Sequence, residues 1–328
     1  MKYREFGKTG WKVSEVGLGT WALGSDAWGD VDATQARETL QEAIDQGINF
    51  FDTADVYGDG TSEKRISEVL DETDERIYVA TKFGRRIEPH RSEGYTKENL
   101  ERFLDRSLEN LGVDTIDLVQ LHCPPTDVYY RPEIFEAMED FVEKGKIQYY
   151  GVSVEKVEEG LKAIEYPGLT SVQIIFNTFR QRPADLFLER CREKNVAVIP
   201  RVPLASGLLT GKYDKDATFP ENDHRNFNRN GEEFDVGETF GGVDFETGLE
   251  AVDRLRQVKP DDYSMAQLAI KWILSHEEVS VVIPGAKKGK HVRDNARTSD
   301  LPELPPEVMH EARSVYEELI KEQVHHRW

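Results

Sequence analysis

Asp117-Leu118-Val119-Gln120-Leu121-His122 is a short, β-rich apolar run that stops on an imidazole. Together with Ile116 it reads as a buried strand. Just before it, Lys97 to Leu111 sets Leu100, Leu104, Leu108 and Leu111 at helical spacing, so an amphipathic helix feeds the strand. The same alternation recurs on both sides. Further runs lie at Glu15 to Leu18, Asn49 to Asp52, Ile77 to Lys82, Ile147 to Ser153, Ser171 to Phe176, Ala197 to Arg201 and Val279 to Ile283. Ala33 to Ile44, with Leu40, Ala43 and Ile44 on one face, is another of the intervening helices. Strands alternating with helices predict parallel βα units, and about eight of them make a closed (β/α)8 barrel, a TIM barrel of the α/β class.

The 328 residues fit one such barrel, and the absence of internal repeats, low-complexity tracts or linkers predicts a single domain over residues 1–328. Three additions are expected. Tyr3 to Phe6 and Lys12 to Ser14 flank Lys8-Thr9-Gly10 and predict an N-terminal hairpin that plugs one end of the barrel. A long polar loop follows strand 7, roughly Tyr213 to Thr247, and is expected to hang over the active face. Pro305 to Gln323 predicts an extra C-terminal helix, after which His325 and His326 are expected to fray with the tail rather than hold a metal.

Composition narrows the function classes. Apolar residues make up 38% and aromatics 10%, as in a globular protein. The two cysteines, Cys123 and Cys191, give neither a disulfide framework nor a metal-type spacing, and Cys123 reads as a small packing residue. Met1 to Val13 lacks an apolar signal-peptide core, and no run approaches the roughly 20 apolar residues that span a bilayer. A soluble protein of the reducing cytoplasm is expected. With 42 Lys+Arg against 62 Asp+Glu the net charge is -20, which argues against nucleic-acid or anionic-membrane partners. Phosphate, if bound, must meet a local patch of positive charge.

Barrels of this kind carry their chemistry at the carboxyl ends of the strands. The second strand ends in Asp52 and runs into Thr53-Ala54-Asp55-Val56-Tyr57-Gly58, the third ends at Lys82 and the fourth at His122. Each has an ordinary structural explanation when taken alone; their convergence on one rim does not. A phenol is a poor acid at neutral pH, and a buried ammonium beside it is expected to lower its pKa. In this reading Lys82 supplies the charge, Asp52 holds Lys82, Tyr57 delivers a proton and neutral His122 donates a hydrogen bond to the substrate oxygen. Such a group suits reversible protonation of a carbonyl oxygen. Neither a nucleophile with its base nor a glycosidase-type carboxylate pair is present.

Carbonyl reduction needs a hydride, hence a nicotinamide cofactor. Gly17-Leu18-Gly19-Thr20 lacks the third glycine of a dinucleotide fingerprint, which argues against a Rossmann domain. Pro203 to Lys212 after the seventh strand, and Ile283-Pro284-Gly285-Ala286-Lys287-Lys288 after the eighth, stand where barrels bind phosphate.

At this point the chain resembles the aldo-keto reductase superfamily. The resemblance rests on Gly17-Leu18-Gly19-Thr20-Trp21, Asp52 to Gly58, Lys82, Leu121-His122, Gly151-Val152-Ser153, Gln173, Ile283-Pro284-Gly285 and Asn295. It implies an NADP(H)-dependent (β/α)8 oxidoreductase with a catalytic tetrad of Asp52, Tyr57, Lys82 and His122. It also implies cofactor contacts from Gly19, Thr20, Trp21 and Asp52 near the nicotinamide, with Ser153 and Gln173 on its carboxamide. Val202, Pro203, Leu204, Ser206 and Gly207 would hold the pyrophosphate with Lys212 nearby, Pro284, Gly285 and Ala286 would border the site, Lys287 would meet the 2′-phosphate and Asn295 the adenine. Three positions depart from the family pattern: Val154 replaces an Asn, Arg201 stands where an aromatic ring stacks on the nicotinamide, and His291 replaces an Arg or Gln at the adenine. Preference for NADPH then rests on Lys287, Lys288 and Arg293. The substrate pocket is expected to hold Trp21, Trp28, Tyr57, His122 and Tyr129, which suits an apolar or aromatic carbonyl compound.

Two other classes remain open at this level. Channel-associated members of the same superfamily sense the nucleotide with little turnover, and a metal-dependent barrel hydrolase would use Asp52 and His122. A single His among these strand ends is a thin ligand supply for zinc. Natural substrate and oligomeric state are not legible.

Overall fold

The computed structural model of the chain describes residues 1–24 and 31–328. Among these, β1 (Tyr3–Glu5) and β2 (Lys12–Ser14) pair antiparallel as a hairpin. Seven strands then follow one another in a single parallel sheet: β3 (Leu18–Gly19), β4 (Phe50–Asp52), β5 (Tyr78–Phe83), β6 (Ile116–His122), β7 (Ile147–Ser153), β8 (Ser171–Ile175) and β9 (Ala197–Arg201). The predicted eighth strand forms bridges rather than a ladder. Val282 pairs with Val16 on one side and Val279 with Val198 on the other, so this segment still joins the first strand to the last. Its bonds include Gly17 N to Val282 O at 2.8 Å and Ser280 N to Val198 O at 3.0 Å. The barrel therefore closes through backbone hydrogen bonds.

Helices surround the sheet. They are α1 (Trp21–Gly24), α2 (Ala33–Asp45), α3 (Thr61–Leu70), α4 (Lys97–Leu111), α5 (Pro132–Glu143), α6 (Val157–Ala163), α7 (Phe187–Glu193), α8 (His224–Phe227), α9 (Phe245–Val258), α10 (Met265–Leu274), α11 (Gly289–Ala296), α12 (Pro306–Val315) and α13 (Lys321–Val324). Two short ones, α1 and α8, reach the cavity at the sheet's carboxyl end. Their limits follow local chemistry. Asp32 caps α2 by accepting from Gln35 N, Thr96 caps α4 by accepting from Asn99 N, and Gly112 ends α4 at φ 65°. The predicted C-terminal helix is interrupted at Tyr316–Ile320 by a π turn between α12 and α13. Among the described residues no helix is long and apolar enough to cross a membrane.

Strand parity separates two apolar layers. Phe51, Val79, Val119, Val198 and Val282 face the helices, whereas their neighbours Phe50, Ala80, Leu118, Ile199 and Val281 face inward. Phe6, Trp11 and Val13 of the hairpin pack against that inner set, so the expected plug is present and fills the amino-terminal end. Trp11 stacks on Tyr78 at 4.5 Å and meets Tyr149 edge-on at 5.0 Å.

The tail departs from expectation. It does not fray: Trp328 is 3% exposed. Its Nε1 donates to Asp235 Oδ1 at 2.9 Å and the Arg180 guanidinium lies 4.0 Å from its ring, while Tyr316 Oη meets His325 Nδ1 at 2.7 Å. Polar partners in the long loop and on α12's continuation hold what a polar, histidine-rich ending does not reveal.

Candidate functional site

The same parity builds the site. Moving two residues onward from inward Phe50, Ala80 and Ile199 reaches Asp52, Lys82 and Arg201, and from Leu118 it reaches Gln120 and then His122. All of these lie at the carboxyl ends of strands β4, β5, β9 and β6. Register brings His122 beside Ser153, and Ser153 beside Gln173. Tyr57 arrives from the turn after β4.

Lys82 is 1% exposed and donates from Nζ to Asp52 Oδ1 at 2.7 Å, to Thr53 O at 2.8 Å and to Tyr57 Oη at 3.4 Å. Gln173 Nε2 bonds the other Asp52 oxygen at 2.6 Å, which commits part of the amide that the family pattern assigns to the carboxamide. His122 meets the Tyr57 ring edge-on at 6.0 Å, and Trp21 stacks on the same ring at 5.9 Å. Asp52, Tyr57, Lys82 and His122 are thus brought together as the sequence predicts.

Their electrostatics differ from expectation in one respect. Burial pulls the Lys82 amine down, but Asp52 and Tyr57 outweigh it and hold the amine above its ordinary value. Burial also raises the Tyr57 phenol, and Lys82 offsets only part of that, so the phenol lies above its ordinary value rather than below it. Burial, reinforced by Arg85, Lys82 and Arg201, drives the His122 imidazole well below its ordinary value, leaving it neutral. At neutral pH the group holds a protonated phenol, an ammonium and a neutral imidazole.

Asp52, Tyr57 and His122 open into a cavity of about 910 Å³. Gly19, Thr20, Trp21, Asp52, Ser153, Gln173, Arg201, Val202, Pro203, Leu204, Ser206, Gly207, Lys212, Gly285, Ala286, Lys287, His291 and Asn295 all line it. Pro284 lies between two lining residues, with its carbonyl accepting from Gly19 N at 3.2 Å. Gly19 is required here, since a Cβ would stand 2.9 Å from Ile283 O. The segment after β9 turns through left-handed backbone at Val202, Ser206 and Gly207 (φ 53°, 54° and 89°), a curled run of peptide groups of the kind that cradles anions. Lys212 and Lys287 are both pulled down, by burial and then by Arg225, so several cations crowd this end.

Two expectations for the substrate pocket fare differently. Trp28 lies outside the described residues. Tyr129 is 0% exposed and does not line the cavity, because the turn Thr126–Tyr130 packs its ring into the core, while the next residue, Tyr130, faces solvent. Arg201 does line the cavity but is tied down: Nη1 pairs with Glu238 and Nη2 donates to Val154 O at 2.9 Å.

Sequence reasoning missed Arg85, Phe234 and Glu238, which also line the cavity. Arg85 had a signal, standing just beyond β5 under the strand-end rule already applied to Lys82. Phe234 and Glu238 come from the long loop after strand 7, which carries no periodicity that fixes its path.

The family model described as "Aldo/keto reductase family" matches residues 15–317. A curated relative, the aldo-keto reductase YhdN of Bacillus subtilis, is 31% identical over 88% of this chain and 86% of its own length. A probable voltage-gated potassium channel subunit beta of Arabidopsis thaliana is 28% identical over 96% of both chains. Among solved structures, the glycerol dehydrogenase AKR11B4 from Gluconobacter oxydans superposes with a TM-score of 0.79 at 28% identity, covering 97% of this chain and 96% of that one.

Proposed function

The chain belongs to the aldo/keto reductase family, and from that premise we propose that it is an NADP(H)-dependent reductase of aldehydes or ketones in which Tyr57 is the general acid. The observation that carries this reading is the Lys82 ammonium bonded at once to Asp52 Oδ1 (2.7 Å) and Tyr57 Oη (3.4 Å) beside neutral His122. Tyr57 keeps its proton at neutral pH and gives it to the substrate oxygen. Lys82 then stabilises the phenolate left behind, and Asp52 keeps Lys82 charged and aimed. His122, being neutral, donates an N–H to the same oxygen and fixes its approach.

The residues present fit a phosphorylated dinucleotide. The left-handed turn at Val202 to Gly207 presents peptide groups, and Lys212 and Lys287 give the cavity positive charge in a protein of net charge -20. When bound, the dinucleotide supplies the hydride. In this chain Ser153 and the free part of the Gln173 amide would hold its carboxamide, and Lys287 would favour the 2′-phosphorylated form.

A second reading has a specific observation behind it, the likeness to a probable channel subunit beta. Both readings bind the nucleotide, so turnover separates them. Fluorescence titration with NADPH and NADH tests the cofactor, and a carbonyl panel tests the chemistry. Tyr57→Phe should lower kcat by about 10²- to 10⁴-fold, the usual cost of removing a general acid. A variant that keeps more than about a tenth of the wild-type rate sinks the role given to Tyr57.

A further inference from the structure

We propose that the catalytic end of the cavity takes carbonyl compounds that carry a carboxylate, with Arg85 as the residue that recognises it. This rests on the reductase reading above and names its substrate class.

This end of the cavity holds an excess of donors. Arg85 and Arg201 both line the cavity, and two guanidiniums offer about ten N–H groups. Acceptors are few. Arg201 is 7% exposed and takes the better share, with Glu238 on Nη1 and Val154 O at 2.9 Å on Nη2. Arg85 has weaker partners, Glu155 Oε1 at 3.2 Å and Glu238 Oε1 at 3.9 Å. Beyond these and the thiol of Cys123, it has none among the described residues. The Nε atoms of both guanidiniums are buried without a partner among the described residues. These deep Nε atoms show that the corner is short of acceptors, and the Arg85 Nη groups, with an oxygen partner only at 3.2 Å, are the donors left for a ligand.

The surroundings say which acceptor. The Arg85 side chain is 23% exposed, open enough to reach a ligand yet sheltered enough for a charged contact to count. His122, where the carbonyl oxygen is placed, feels Arg85, Lys82 and Arg201 together, all positive. A planar carboxylate matches a guanidinium in shape and charge. Trp21 and Phe234, whose rings meet edge-on at 6.0 Å, line the same cavity and would cover the short carbon chain between the two oxygens' sites. An aliphatic aldehyde alone would leave the charged wall facing methylenes.

The test compares 4-oxobutanoate with butanal, equal in chain length and different in charge, as substrates of the NADPH-loaded protein. The ratio of their kcat/KM values should favour the carboxylate at least tenfold. In Arg85→Gln that ratio should fall about 10- to 100-fold, and in Arg85→Lys it should fall less, because the charge is kept and the fork is lost. A wild-type ratio within threefold of unity, or one unchanged in Arg85→Gln, overturns the proposal. A second readout needs no turnover: butyrate should quench the fluorescence of the wild-type protein at lower concentration than that of Arg85→Gln. If no carbonyl compound is reduced but this difference holds, the reductase reading fails and the carboxylate site stands. If aldehydes are reduced regardless of charge and butyrate does not discriminate the variants, the reductase reading stands and the carboxylate site fails.

Discussion

In the reduction proposed above, the directions in which Tyr57 and His122 are shifted set the pH profile. The acid must be protonated, and the Tyr57 phenol lies above its ordinary value because burial outweighs Lys82, so it stays competent into the alkaline range. His122 lies well below its ordinary value, so it does not gain a proton on the mildly acidic side. The kcat/KM for a neutral aldehyde should therefore stay level from about pH 6 to about pH 9. A fall centred near the ordinary histidine value, about 6.5, would show His122 titrating and contradict the site as described. Lys82→Met should be costly for stability as well as rate. It leaves the Asp52 charge, 3% exposed, without its cation, and breaking a buried pair costs about 3–5 kcal/mol, readable by urea unfolding. The convergence of these four side chains was legible because three of them end strands in the sequence and Tyr57 stands in the turn after the second barrel strand. The direction of the phenol's shift was not, because it depends on how much water the folded cavity excludes, and that is a property of packing.

Single elements show where local patterning suffices and where it stops. Helix α4 runs from Lys97 to Leu111 as its leucine spacing predicts, with Thr96 and Gly112 supplying the ends. The loop after strand 7 is different: it holds the cavity wall through contacts with distant parts of the chain. Ser206 Oγ donates to Glu238 O at 2.9 Å and accepts from Phe240 N at 3.1 Å, and Trp328 clamps Asp235. Such pairings have large sequence separation and no period, so only the folded chain reveals them. Trp328→Ala should free this segment without unfolding the barrel. Amide exchange over 234–242 should quicken while the strands keep their protection, and a global loss of protection would show that the indole supports the whole core instead.

At the scale of the whole molecule, buried acids oppose the acidic surface. Burial raises Asp55 to about 7, against the pull of Arg86, and burial raises Glu155 to about 7, reinforced by Asp235. Both bind protons more tightly folded than unfolded, so between their unfolded values near 4 and about 7 the native state carries the extra protons. Their contribution to stability is full below that window and is lost as pH rises through it, at up to about 1.4 kcal/mol per pH unit for each group. Chemical unfolding at pH 5 and pH 8 should find the protein weaker at pH 8, and Asp55→Asn should flatten the difference; a stability that climbs with pH would refute the assignment. The barrel itself was legible from its alternating runs, although the eighth run forms bridges where a ladder was expected. The hairpin at the other end has a further consequence for kinetics. With the floor stoppered by Phe6, Trp11 and Val13, the reactants of the proposed reduction must come in from the carboxyl-end rim. Under that proposal the molecule seated deeper arrives first and departs last, so product inhibition should show a compulsory order.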